Sequence, residues 1–315
     1  MASALDLSVI IVSWNVRDLL VRCLESVRAG FAQAGLTGEI IVVDNASADG
    51  SADVVRTRFP DVILIEPGAN LGYTGGNNLG LRHAQGRYIL ILNPDTEVAP
   101  DAPGRLVGVL GIHPSIGVVG PALLLPDGRR QSSRRRFPSL FVGMVESTPL
   151  EPWVARSPLL RGFRLLDHPD DEPQPVDWLV GAALMIRREI IEQVGTLDEA
   201  FFMYFEELDW QRRIKAAGWS IWYWPEARVV HYEGASSGQV VARRQILFAT
   251  SKIEYYRKWY GARTAALLRG WLWLLFAGEM LVESLKLLLR HKTDLRRERI
   301  QHYRQVLASG LRRGP

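Results

Sequence analysis

Between Leu7 and Leu92 the chain alternates short apolar runs with helical patterns, and few folds accept that rhythm. The runs are Leu7–Val12, Ile40–Val43, Val62–Ile65 and Tyr88–Leu92. Helical spacing of apolar residues fills the gaps: one segment over about 16–28, one carrying Val54 and Val55, and one opening in the glycine-rich stretch at Gly72 and leading to His83. Strands joined in this way must lie parallel, which predicts a doubly wound α/β sheet. Tyr88–Leu92 is apolar on both faces, as a strand covered on both sides has to be. It runs straight into Asn93-Pro94-Asp95-Thr96, so an acid stands at its carboxyl end, the edge where open α/β sheets bind ligands.

Composition narrows the class. A chain of 315 residues with 47% apolar and 23% charged residues is globular, with material for a large core. The formal charge is only +4, but basic residues cluster at Arg129-Arg130, at Arg134-Arg135-Arg136 and from Arg290 to Arg313. Such clusters invite phosphates, anionic lipid or nucleic acid; no nucleic-acid-binding module accompanies them, so that partner is set aside. The single cysteine, Cys23, shares a helical face with Leu19, Leu20, Leu24 and Val27 and is read as core. With no disulfide possible within the chain, and no basic segment ahead of the first apolar run, a cytoplasmic location is expected.

Beyond Asp95 the pattern predicts a helix over 101–110, a strand at Val118-Val119, a hairpin at Pro126-Asp127-Gly128, and a strand over 178–186 followed by a helix ended by Gly195. The Pro- and Arg-rich stretch 129–176 reads as irregular. Glu206 opens a helix to about Ala217, with short strands at 220–224 and 228–231 after it, and the chain from Val240 is helical in pattern.

A parallel sheet brings Trp14-Asn15, Asp44 to Asp49, the loop Gly75-Gly76-Asn77-Asn78 and Asp95 to one edge. Taken singly, these are packed aromatics and helix caps. Together, an aromatic to stack, a carboxylate to accept hydrogen bonds, a glycine loop and a metal-binding acid suit a nucleoside diphosphate. The glycine loop is neither a dinucleotide fingerprint nor a Walker loop, which argues against a dehydrogenase or an ATPase.

Ordered motifs then carry a resemblance over roughly residues 7–240. Val9–Asn15, Val43–Ser51, Asn70–Gly80, Leu92–Asp95, Val180–Ala182, Phe202–Asp209 and His231–Ser236 resemble the inverting family 2 glycosyltransferases, and among them most closely bacterial rhamnosyltransferases that build cell-wall or surface polysaccharide. The resemblance implies a GT-A-like fold with a nucleotide-binding half over 1–96, an acceptor and catalytic-base half over 97–240, and a C-terminal helical segment over 241–315. It implies Trp14, Asn15, Asp44, Asn45, Asn78 and Asn93 at the nucleotide, Asp95 and His231 on Mg²⁺ or Mn²⁺, and Glu207 as catalytic base, with Glu206, Asn77 and Gly181 as secondary candidates. Two positions depart from the family: Asn93 replaces the first aspartate of its DXD motif, and Asn77 stands where many members carry arginine.

The implied reaction moves a sugar, rhamnose from a dTDP donor or another sugar from UDP, to a glycan or polyprenyl-linked acceptor. A sugar-nucleotide pyrophosphorylase would need a lysine-bearing glycine signature after the first strand, which Ser13-Trp14-Asn15 does not supply. A non-catalytic nucleotide-sugar binding protein would have no need of both Asp95 and Glu207. Helical periodicity sets Asp209 apart, on a face where it can pair with Arg213, and leaves Glu206 and Glu207 both open as the base; the family pattern selects Glu207. In the tail, Glu279, Glu283, Lys286 and Arg290 fall on one stripe of an apolar segment, Ala265–Leu289, an amphipathic helix that either packs on the catalytic domain or lies in an anionic membrane interface at the inner face of the cytoplasmic membrane.

Overall fold

The computed structural model describes residues 5–233, 241–290 and 292–312. It divides into two compact units. The first comprises Met1–Phe137, Arg161–Phe202 and Glu206–Ser236; the second comprises Pro138–Leu160, Met203–Phe205 and Ser237–Pro315.

In chain order the elements begin β1 (Leu7–Ser13), α1 (Arg17–Ala34), β2 (Gly38–Asp44), α2 (Ser51–Arg58), β3 (Ile63–Ile65), α3 (Gly72–His83) and β4 (Tyr88–Leu92). They continue β5 (Thr96–Val98), α4 (Ala102–Ile112), β6 (Ile116–Leu124), β7 (Arg134–Arg135), α5 (Leu140–Val145), α6 (Glu151–Val154) and α7 (Pro158–Phe163). Then come β8 (Gln174–Val176), β9 (Trp178–Leu179), β10 (Ala183–Arg187), α8 (Arg188–Val194), α9 (Glu206–Ala216) and β11 (Ser220–His231). Three long helices follow: α10 (Val241–Tyr260), α11 (Ala262–Leu288) and α12 (Thr293–Ala308).

The main sheet runs β3-β2-β1-β4-β10-β6-β11-β5, with β8 added against β11. The first four strands are parallel, as their alternation with helices requires. Residues alternate between the two faces, so Val9 and Ile11 join Leu20, Leu24 and Val27 of α1 and Leu106 of α4 in one core layer. Ile10 and Val12 join Leu81 of α3, Ile190 of α8, and Trp210 and Ile214 of α9 in the other. Register pairs Ser13 with Asp44 and Ile11 with Leu92, so β1, β2 and β4 all end at the same edge. Strand β10 is antiparallel to β4 with Ala183 opposite Leu92, which brings the residues just before it to that edge as well. The result is a mixed sheet whose first four strands, β3-β2-β1-β4, are parallel.

Three local expectations change. The predicted strand over 178–186 breaks into β9 and β10, because Val180–Ala182 turn across the sheet edge. The strands at 220–224 and 228–231 are one strand, with a register shift between Trp224 and Arg228, where Pro225 interrupts the ladder. The stretch 129–176 holds short elements, and three of its arginines meet protein groups. Arg134 is buried, donates to the Pro169 carbonyl at 2.6 Å and lies over Tyr223; Arg130 pairs with Asp170 and Arg129 with Asp127. The predicted hairpin forms, with Gly128 at φ 83°. Cys23 is fully buried, and burial pushes its thiol up to about 12, so it is inert core.

In the second unit Tyr256 and Tyr260 stack at 5.0 Å and donate to the Ser139 and Pro138 carbonyls, and Trp271 donates to the Met144 carbonyl. These bonds hold the segment 138–146 against α10 and α11. Helix α11 buries Ala265, Leu268, Leu272 and Phe276, and with them one residue of its polar stripe. Glu283 is buried and accepts from Arg296 at 2.7 Å, with Lys286 and Arg299 close by. The leucines at 267, 274, 281, 285 and 288 face out, each more than half exposed.

Gly72 opens α3 at φ +74°, and a Cβ there would run into the Phe202 carbonyl. That carbonyl accepts from the amides of Tyr73 (3.0 Å) and Thr74, and so caps the helix. Gly72→Ala is therefore expected to lower unfolding free energy by about 1–3 kcal/mol, the scale of overpacking, measured by denaturant titration; an unchanged midpoint would contradict the fit.

Candidate active site

The carboxyl edge of β1 and β2 is a hydrogen-bonded pair of loops. Asn15, held at φ 53°, accepts from the Ala48 amide at 2.7 Å, while its own amide donates to the Ser47 hydroxyl. Asp44 Oδ2 accepts from the Ser47 amide at 3.0 Å; its Oδ1 is buried and has no hydrogen-bond partner among the described residues. A buried acceptor left open next to a half-exposed Trp14 is what a base-binding notch needs.

Two asparagines expected at the nucleotide are occupied elsewhere. Asn45 donates to the Gly72 carbonyl at 2.9 Å and accepts from the Leu71 amide, fastening β2 to the start of α3. Asn78 is 2% exposed and makes a two-way bond with the backbone of Leu197, 2.9 Å as donor and 3.1 Å as acceptor. Both position the glycine-rich segment instead of facing the open edge. Asn77 donates to the Tyr73 carbonyl, and its amide oxygen is buried with no hydrogen-bond partner among the described residues.

At the end of β4, the Asn93 carbonyl accepts from the Thr96 hydroxyl at 2.7 Å and its amide donates to the Ala182 carbonyl at 2.9 Å. These bonds fix the turn that presents Asp95. Strand β11 pairs His231 with Thr96, one residue beyond Asp95, and the Tyr232 amide donates to the Asp95 carbonyl. His231 Nε2 consequently stands 3.5 Å from Asp95 Oδ1, with both residues about 5% exposed. Among the described residues no group of three histidine, cysteine, aspartate or glutamate side chains gathers. Two protein donors, one carboxylate oxygen and one imidazole nitrogen, suit a divalent ion of the Mn²⁺ or Mg²⁺ kind that takes its other ligands from phosphate and water. The remaining residues of the last motif, Gly234, Ala235 and Ser236, lie outside the described residues.

The acids of α9 separate by burial. Glu206 is 4% exposed, and burial first, then the charge of Glu207, hold its carboxyl well above the usual range. Glu207 is half-buried and lies against Gly181, where an added Cβ would sit 3.3 Å from its Cβ and Cγ. Asp209 pairs with Arg213 at 3.0 Å, as its spacing suggests, but it is fully buried: Arg213 also donates to the carbonyls of Val194 and Thr196. Just ahead of the helix, Tyr204 and Phe205 both adopt positive φ, 70° and 68°, a conformation non-glycine residues hold only when their surroundings enforce it.

Tyr73 is a site residue that periodicity did not single out. Its hydroxyl donates to the Gly181 carbonyl at 2.8 Å. Burial raises it well above its ordinary value, and the charges of Glu206, Glu207 and Asp95 add to the shift. One phenol thus senses the acids from both halves of the sheet edge. Its place in a glycine-rich helix start was the one available signal.

Comparison with known proteins agrees with this geometry. Residues 8–195 match the family described as Glycosyl transferase family 2. The N-acetylglucosaminyl-diphospho-decaprenol L-rhamnosyltransferase of Mycobacterium tuberculosis is 33% identical over 211 residues, covering 64% of this chain and 68% of that protein. Among solved structures, GalNAc-T7 with UDP, GalNAc and Mn²⁺ superposes with a TM-score of 0.57 at 17% identity, over 98% of this chain and 57% of the other. The mannosyltransferase PcManGT from Pyrobaculum calidifontis, in complex with GDP-Man and Mn²⁺, gives 0.53 at 17% identity, over 98% and 87%. At such identities the two structures speak for the fold alone. The chain belongs to glycosyl transferase family 2 and is a glycosyltransferase with a GT-A-like fold.

Proposed function

We propose that the protein transfers L-rhamnose, with inversion, from dTDP-rhamnose to a glycan on a polyprenyl carrier in cell-wall or surface polysaccharide synthesis. The observation that carries this is the grouping at one sheet edge of the Asp95–His231 pair, an open buried acceptor on Asp44, and Glu207 against Gly181. The likeness to the mycobacterial rhamnosyltransferase supports the choice of sugar and carrier. Trp14, Asn15 and Asp44 would hold the base and ribose, Asn93 would lie beside the diphosphate, and Asp95 with His231 would hold Mg²⁺ or Mn²⁺. That ion would supply positive charge where the leaving diphosphate gathers negative charge. An acceptor hydroxyl oxygen bonds to the anomeric carbon, the bond from that carbon to the diphosphate oxygen breaks, and the nucleoside diphosphate leaves with the electron pair. Glu207 takes the hydroxyl proton. Gly181 leaves room for its carboxylate, and Glu206 beside it is buried, its carboxyl held well above the usual range.

Location follows from α11. It is long and apolar enough by length and composition to cross a membrane, yet only 17% of its apolar stretch is buried. Ten basic residues face four acidic ones between Ala262 and Arg312, an excess larger than the +4 of the whole chain. With five exposed leucines along α11 and this basic excess, the helix suits the headgroup region of an anionic leaflet, which supports peripheral association with the inner face of the cytoplasmic membrane.

The assay is dTDP release from dTDP-rhamnose with Mn²⁺ and a polyprenyl-linked acceptor. Glu207→Gln is expected to keep donor affinity within a few-fold and to lose about 10²–10⁴ in turnover, the scale of general-base removal. Glu206→Gln should stay within a few-fold, and Asp95→Ala should abolish both transfer and metal-enhanced nucleotide binding. Full activity in EDTA, or an inactive Glu206→Gln beside an active Glu207→Gln, would overturn the assignment. For location, the full chain should float with anionic vesicles, and a Leu274→Glu, Leu281→Glu, Leu288→Glu variant should not. If neither floats, the leucine face meets something other than lipid.

A further inference from the structure

His231 can serve as a metal ligand through only one nitrogen at a time, and in its neutral form the other carries the proton. The neighbours decide which. Nδ1 lies 2.9 Å from Gln131 Oε1, and Nε2 lies 3.5 Å from Asp95 Oδ1. An amide oxygen only accepts, so Nδ1 donates, and the ring's lone pair falls on Nε2, facing the carboxylate. A free neutral histidine side chain prefers the opposite tautomer, with its proton on Nε2, so the Gln131 contact reverses the default. With the glutamine amide turned around, the proton would sit on Nε2, across a 3.5 Å gap too long for a good N–H···O bond. With the oxygen toward Nδ1, two acceptors face each other at Nε2 and Oδ1, an arrangement that asks for a cation between them.

Gln131 arrives at this spot by construction. The hairpin after β6 closes through the Leu125 amide to the Arg129 carbonyl, Leu124 bridges Arg130, and the Gln131 amide donates to the Leu123 carbonyl at 2.8 Å. That backbone bond holds the residue whatever its side chain, so the side chain is free to serve the histidine. The two residues are 100 positions apart in sequence.

We propose that Gln131 is a positioning residue that locks His231 in the Nδ1–H tautomer, so that Nε2 is presented as a ligand beside Asp95. This rests on the assignment of Asp95 and His231 as the metal pair. Partners of this kind orient the imidazole and raise its basicity, and their removal costs about 10–100-fold in metal affinity.

The test uses full-length, metal-free protein with ¹⁵N-labelled histidine at about pH 8, with the His231 ring signals identified by their loss in His231→Ala. In the wild type Nδ1 should be protonated and Nε2 bare. Gln131→Leu should lose that preference and bind Mn²⁺ about 10–100-fold more weakly. Gln131→Glu keeps an acceptor and should restore both properties to within a few-fold of wild type. A protonated Nε2 in the wild type, or a Gln131→Leu protein with unchanged tautomer and unchanged Mn²⁺ affinity, overturns the proposal. A wild type with the expected tautomer that binds no Mn²⁺ overturns the metal pair and the proposal with it; a lost tautomer lock with intact Mn²⁺ binding overturns the proposal alone.

Discussion

Everything chemical in this protein depends on the register of three parallel strands. With Ser13 opposite Asp44 and Ile11 opposite Leu92, the chain leaves the sheet three times along one edge, and each exit carries polar residues. A slip of one residue in any of these strands would reverse its faces, sending Ile10 and Val12 to the layer that Val9 and Ile11 occupy. The apolar packing on both faces therefore fixes the positions of Trp14, Asp44 and Asp95 more firmly than any bond among those residues. Antiparallel β10 then returns to the same edge and brings Gly181 to Tyr73 and Glu207. Strand β11 sets His231 beside Asp95.

The acids at this edge are told apart by surroundings and not by type. Asp209 is paired with Arg213, and burial and its neighbour's charge hold the Glu206 carboxyl well above the usual range. Asp95 faces an imidazole, and Glu207 is left half-open beside a glycine. Four carboxyl groups of similar intrinsic acidity thus sit in four different surroundings. On α11, Glu283 is drawn inward by Arg296 and buried along with Leu268, Leu272 and Phe276, while five other leucines stay exposed.

Features set by local pattern were legible in the sequence. The strand–helix alternation gave the parallel half of the sheet, the glycine-rich stretch gave the start of α3, and the motifs pointed to the family. What stayed hidden depends on partners distant in the chain. Asn45 and Asn78 look like ligand-binding amides until the backbone of Gly72 and Leu197 is seen to occupy them. The arginines at 129–136 read only as a basic cluster until Asp127, Pro169 and Asp170 are seen to meet three of them. Asp209 was rightly matched to Arg213, four residues on, but its complete burial depends on α9 facing residues 194–196. Gln131 carries no signal at all, because its role exists only once β6 and β11 lie side by side.

The central claim is that Asp95 and His231 together hold a divalent ion against a nucleoside diphosphate. Crystals grown with dTDP and Mn²⁺, with data collected at the manganese absorption edge, test it most directly. The account predicts an anomalous peak bonded to an Asp95 carboxylate oxygen, to His231 Nε2 and to the diphosphate. A diphosphate bound at this edge with manganese elsewhere, or with none, would contradict it.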